Sequence, residues 1–100
     1  MVQIIKTTHI DDKDASKTIE IMVCSSKTTA REIVLNEINK GFDSNYQSFV
    51  EAVEDLKDEL FHVSFGLNEF VWFDNGKGEE YHIVKIDTNN GIDTKFQMVY

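Results

Sequence analysis

The run Lys17-Thr18-Ile19-Glu20-Ile21-Met22-Val23-Cys24-Ser25-Ser26-Lys27-Thr28-Thr29-Ala30-Arg31-Glu32-Ile33-Val34 constrains the fold more than any other stretch of the chain. Ile19, Ile21 and Val23 alternate with Thr18, Glu20 and Met22, the period of two that marks a half-buried strand. The apolar set is expected to meet the core, leaving Lys17, Thr18 and Glu20 to solvent. A short polar turn follows, and Thr29 and Glu32 then stand at the spacing of a capping box. In that motif the threonine oxygen takes an unpaired amide at the helix start and the glutamate reaches back to the cap. A strand that feeds a helix so directly points to an α+β domain.

The rest of the chain extends that pattern. Gln3–Ile10 is rich in β-branched residues and predicts a first strand, with a polar turn over Asp11–Ser16. The first helix is expected to begin near Ala30, bury the stripe Ala30, Ile33, Val34 and Ile38, and end at Gly41 in the left-handed conformation, with Phe42 packed beneath. Tyr46, Phe49, Val50, Val53 and Leu60 recur at helical spacing and predict a second helix capped by Asp43 or Ser44. Phe61–Gly66 and Phe70–Phe73 then read as strands. Asn75-Gly76-Lys77-Gly78 reads as a turn, Glu80–Ile86 as the opposing strand, Asn90-Gly91 as another turn and Lys95–Tyr100 as a last strand. The expected fold is a single α+β domain over residues 1–100, a mixed or antiparallel sheet packed on two helices in the order ββααββββ.

One hundred residues suffice for one core, and the 41% hydrophobic and 28% charged content is that of a soluble globular chain. No apolar run approaches the roughly 20 residues of a membrane-spanning helix. The N-terminus carries neither an apolar signal region nor the glycine needed for myristoylation, so a cytoplasmic setting is expected. The lone Cys24 fits a reducing compartment. Net charge is −8, yet residues 1–42 balance: Lys6, Lys13, Lys17, Lys27, Arg31 and Lys40 offset Asp11, Asp12, Asp14, Glu20, Glu32 and Glu37. The acidic excess therefore lies in residues 43–100. Binding nucleic acid directly requires a concentration of Lys and Arg that this chain lacks.

No catalytic, metal or cofactor site emerges. His9, His62 and His82 are scattered among strands, and the sequence sets none of them in a recognisable nucleophile motif. Asp87–Asp93 alternates oxygen donors, but counting from Asp87 a calcium loop would need glycine where Ile92 stands and glutamate where Met98 stands. The glycines around Asn75 precede no helix and lack a GK[ST] sequence, so they fit a turn and no phosphate cradle. Phe70, Trp72, Phe73 and Tyr81 gather in one hairpin with residues on both faces, which suits core pairing across the sheet or an aromatic contact patch on the more exposed face. Function is therefore expected at a surface, in a non-catalytic protein-binding module.

Lys17–Val23 followed by Thr28-Thr29-Ala30-Arg31-Glu32-Ile33-Val34 resembles the second strand and first helix of Ras-association domains, and Thr94–Tyr100 resembles their final strand. The resemblance covers about a quarter of the chain. It implies a ubiquitin-like β-grasp fold and binding of an activated small GTPase by pairing the second strand with the GTPase's sheet edge. Basic residues would then meet an acidic effector region. Carried onto this sequence, the partner-binding residues are Lys17, Thr18, Glu20 and Met22 on the strand, with Lys27 and Arg31 at the turn and helix.

The acidic half supports an alternative. Glu51, Glu54, Asp55, Asp58 and Glu59 on the second helix, with Glu79 and Glu80 on the hairpin, would suit a small acidic inhibitor of the phage anti-defence or DNA-mimic type. Such a protein blocks the basic nucleic-acid-binding surface of a host enzyme. The same carboxylates are also what a solvated helix face presents. Self-association through an exposed strand edge is compatible with either function.

Overall fold

A computed structural model of the chain describes residues 1–11 and 16–86. The elements are β1 (Val2–Asp11), β2 (Ser16–Cys24), α1 (Lys27–Phe42), α2 (Phe49–Leu56), β3 (His62–Gly66), β4 (Glu69–Asp74) and β5 (Lys77–Lys85). The strands form one sheet in the order β2-β1-β5-β4-β3, and every neighbouring pair is antiparallel. The described residues thus follow ββααβββ, an α+β domain. The turn at Asn90-Gly91 and the strand expected at Lys95–Tyr100 lie outside the described residues, as does most of the turn between β1 and β2.

Directly opposed residues of an antiparallel pair share a face of the sheet. Val2 stands opposite Cys24 and Lys85, Ile4 opposite Met22 and Ile83, and Lys6 opposite Glu20 and Tyr81. Phe70 continues the row opposite Tyr81. Both helices pack on this face, where Val2, Ile4, Cys24, Phe70, Tyr81 and Ile83 are buried with Ala30, Val34 and Ile38 of α1 and Ala52 and Leu56 of α2. Phe49 of α2 meets Phe70 with ring centroids 5.2 Å apart, and Phe42 meets Trp72 edge-on at 5.1 Å. Phe73 lies on the far face with His9, at 5.2 Å. Of the four hairpin aromatics, three therefore belong to the helix side.

The same register reverses the expected orientation of β2. Ile19, Ile21 and Val23 pair with Thr7, Ile5 and Gln3 on the face away from the helices, while Thr18, Glu20, Met22 and Cys24 point to the helix side. The reason is the short link to α1: only Ser25 and Ser26 separate β2 from α1, and it is Cys24, 7% exposed, that enters the core. The helix layer also stops short of this strand. Met22 on the helix side remains 48% exposed, and Ile19 and Val23 on the far face, which carries no helix, remain 42% and 49% exposed.

Ser26, not Thr29, caps α1. Its Oγ accepts the Thr29 amide at 3.2 Å, and the helix starts three residues before the expected Ala30. Both residues can cap, but the earlier one adds most of a turn of hydrogen-bonded backbone. Gly41 stays helical, and Asp43 takes the left-handed conformation at φ 53°, its amide donating to the Asn39 carbonyl. Aspartate tolerates this region better than most residues with a Cβ. Asn39 then clamps the following loop, donating from Nδ2 to the Tyr46 carbonyl at 3.0 Å and accepting the Tyr46 amide at 2.8 Å.

That clamp holds Tyr46 outside α2, which begins at Phe49 and ends at Leu56, before Leu60. The cap is Ser48, with Oγ accepting the Glu51 amide at 3.2 Å. The Glu51 carboxylate reaches back to the Gln47 amide. Neither Asp43 nor Ser44 serves as its cap. In the hairpin, only Asn75 (φ 53°) and Gly76 (φ 81°) form the turn, and Lys77 and Gly78 already belong to β5, opposite Asp74 and Phe73. Gly78 is required for another reason: a Cβ there would lie 2.4 Å from the Trp72 carbonyl oxygen and 2.3 Å from Phe73 Cδ1.

Candidate partner-binding edge

β2 lies at one end of the sheet, so one side of its backbone is hydrogen-bonded to β1 and the other has no neighbouring strand among the described elements. Natural edge strands are commonly shortened, bulged, or broken by proline to discourage pairing. β2 is nine residues long, the chain contains no proline, and the one register irregularity in its pairing falls at its start, opposite His9 to Asp11. The opposite edge strand, β3, has five residues.

Beside β2, on the helix side, a cleft of about 230 Å³ opens between the strand and α1, lined by Ile4, Lys6, Glu20, Met22, Ile33 and Glu37 among others. It lies where α1 packs chiefly on β1 and β5, beside β2. The Lys6 ammonium lies 3.3 Å from both Glu37 Oε1 and Glu79 Oε2. Burial acts to lower the Lys6 pKa, but these two carboxylates outweigh it and leave it raised. Glu79 also accepts hydrogen bonds from Trp72 Nε1 at 3.0 Å and from the Tyr81 hydroxyl at 2.9 Å. Burial foremost, and then Glu79, raise the Tyr81 pKa far above its usual value.

The residues proposed from sequence for partner binding divide between two places. Lys17, Thr18, Glu20 and Met22 are exposed along β2, and Lys27 is exposed at the first position of α1. Arg31 points elsewhere. Its Nε donates to the Leu67 carbonyl at 2.9 Å, tying α1 to the turn between β3 and β4, and it lines a second cleft with Phe49 and Val50 of α2. Ile33 and Glu37 form the flank of α1 that faces β2.

The acidic set divides as well. Glu51, Glu54, Asp55, Asp58 and Glu59 are exposed on or just after α2, although Glu54 pairs with Lys57 at 3.0 Å and Asp55 accepts the Tyr46 hydroxyl. Glu79 and Glu80 are half-buried on opposite faces of β5 and are engaged internally, so they do not extend the α2 surface. Glu80 collects two of the three histidines: His9 Nε2 lies 2.7 Å from Oε2 and His82 Nε2 lies 3.4 Å from Oε1. Their convergence was hidden because His9 lies on β1, whereas Glu80 and His82 stand two apart on β5. Among the described residues, no group of three or more His, Cys, Asp or Glu is arranged to hold a metal ion, and no helix is long and apolar enough to cross a membrane.

The Glu80 cluster makes stability depend on pH. Burial acts to raise the carboxyl pKa, but hydrogen bonds and charge from His9 and His82 prevail and leave it lowered. A folded value below the unfolded one contributes stability above the ordinary glutamate pKa of about 4.3, and that contribution disappears as pH falls through the folded value. Glu80→Gln should therefore flatten the acid limb of a stability–pH curve measured by urea unfolding. A limb as steep as that of the unaltered protein would contradict the pairing.

The decisive geometry is the long edge of β2, with Ile19, Met22 and Val23 exposed and no neighbouring strand among the described residues. No family model, curated protein or solved structure matches this chain.

Proposed function

We propose that the chain is a non-catalytic protein-interaction module that receives a partner's strand along the edge of β2. The observation that carries this is the nine-residue edge strand with Ile19, Met22 and Val23 exposed. Main-chain hydrogen bonds give affinity in such an arrangement, and alternate side chains give selectivity. The Ras-association resemblance, with its β-grasp arrangement, names the partner class as an activated small GTPase. Lys17 and Lys27 supply the positive charge nearest the edge, while Arg31 serves chiefly to position α1 against the turn at Leu67.

The acidic-inhibitor alternative rests on α2 alone, since Glu79 and Glu80 are committed inside the fold. Calorimetric titration with a Ras-type GTPase carrying a non-hydrolysable GTP analogue separates the two. Reversing Lys17 and Lys27 to Glu should weaken binding at least about tenfold through lost charge complementarity. Reversing Glu51, Asp55 and Asp58 to Lys should leave it unchanged or strengthen it. The opposite ranking, or capture of a basic nucleic-acid-binding enzyme that is lost on reversing α2, would transfer the function to the acidic helix.

A further inference from the structure

We infer that β2 also pairs with β2 of a second copy of this chain, joining two five-stranded sheets about a two-fold axis perpendicular to them. The inference rests on the reading of β2 as the binding edge, and it identifies an occupant that competes with any other partner for that edge.

Symmetry and side-chain direction leave few registers. Opposed residues of an antiparallel pair share a face, so a two-fold axis must set each β2 residue against one an even number of positions away, or against itself. Centring the axis on Glu20 would place the two Glu20 carboxylates directly opposite, a destabilising like-charge pair. Centring it on Ile19 would set Thr18 against Glu20, and Lys17 against Ile21. Centring it on Met22 would leave Ile19 against Ser25. With the axis at Ile21, each apolar residue of the far face meets another: Ile21 faces its own copy and Ile19 faces Val23. On the helix side Glu20 faces Met22, and Thr18 faces Cys24.

Charge over the larger surface agrees. The chain carries −8 overall, yet residues 1–42, which contain β1, β2 and α1, are neutral in sum. Copies meeting at β2 therefore join through halves whose charges balance and keep α2 and the hairpin apart. The one electrostatic cost is that the two Glu20 carboxylates become diagonal neighbours at about 7–8 Å. Pairing should thus tighten with added salt and with Glu20→Gln.

Sedimentation equilibrium and cysteine crosslinking on the intact chain test this. The unaltered protein should dimerise with rising concentration, and Ile21→Lys, which sets two ammonium groups opposite each other, should raise the dimer dissociation constant at least tenfold. Under mild oxidation Ile21→Cys should form a disulfide dimer, because opposed residues bring their Cβ atoms to about 4.5–5.5 Å. The unaltered chain, whose Cys24 would face Thr18, should not. Ser64→Cys on β3 should not either. Because Ile21→Cys adds no charge, its crosslink remains informative if Ile21→Lys fails to fold. A monomer at every concentration, or crosslinking through Ser64→Cys and not Ile21→Cys, overturns self-pairing. GTPase binding that persists in such a monomer would overturn self-pairing alone, and dimerisation by a protein that binds no GTPase would support it while removing the proposed function.

Discussion

Phe70→Ala is expected to cost about 4 kcal/mol of unfolding free energy, as large-to-small changes of a fully buried aromatic do. Phe70 is wholly buried at the centre of the helix-facing side of the sheet, opposite Tyr81 on β5 and Phe65 on β3, with Phe49 of α2 against its ring. Its removal leaves a cavity bordered by two strands and a helix, none of which can close it without breaking its own register. A domain of this size is stable by about 5–15 kcal/mol, so the variant should fold but unfold at a much lower urea concentration, followed by circular dichroism. Phe73→Ala on the far face, half-buried against His9, is expected to lose distinctly less. Equal losses at the two positions would mean that the core does not lie where the register puts it.

Glu79→Ala is expected to cost about 3 kcal/mol by urea unfolding, since hydrogen bonds to a charged group and the penalty for abandoning their donors are both large. One carboxylate serves Lys6, Trp72 and Tyr81 at once, and its loss strands two aromatic donors beside the cleft and leaves Lys6 with Glu37 as its remaining partner. Glu79→Gln should recover part of the loss, because the amide oxygen can still accept from Trp72 or Tyr81, but the charge opposite Lys6 is gone. Glu54→Ala, whose partner Lys57 is exposed, should have little effect, as surface pairs generally do. A Glu79→Ala change as mild as Glu54→Ala would show that the network is loose in solution.

The elements were largely legible in the sequence, because alternation and helical spacing are local properties. Which side of β2 meets the core was not legible. Ile19, Ile21 and Val23 look like a core face, but their destination depends on the strand beside them and on how far the helix layer extends. The register turns them to the face without helices, where Ile19 and Val23 stay exposed. The start of α1 was misplaced because Ser26 and Thr29 are both competent caps and only the surrounding packing chooses. The Asn39 clamp on Tyr46 depends on long-range geometry, which is why Tyr46 looked helical. At the candidate site, Lys17, Thr18, Glu20 and Met22 were identifiable from sequence, whereas the exposure of Ile19 and Val23 was not. The diversion of Arg31 to Leu67 and the internal commitment of Glu79 and Glu80 were not, since each depends on a partner from a distant segment.

The edge of β2 is probed most directly by amide hydrogen exchange of the intact chain, diluted until it is monomeric, with and without a saturating Ras-type GTPase carrying a GTP analogue. Strand addition predicts slowed exchange at alternate amides between Thr18 and Val23, where outward N–H groups acquire acceptors, with α2 unchanged. Protection confined to Phe49–Leu56, or none in β2 on saturation, would contradict it.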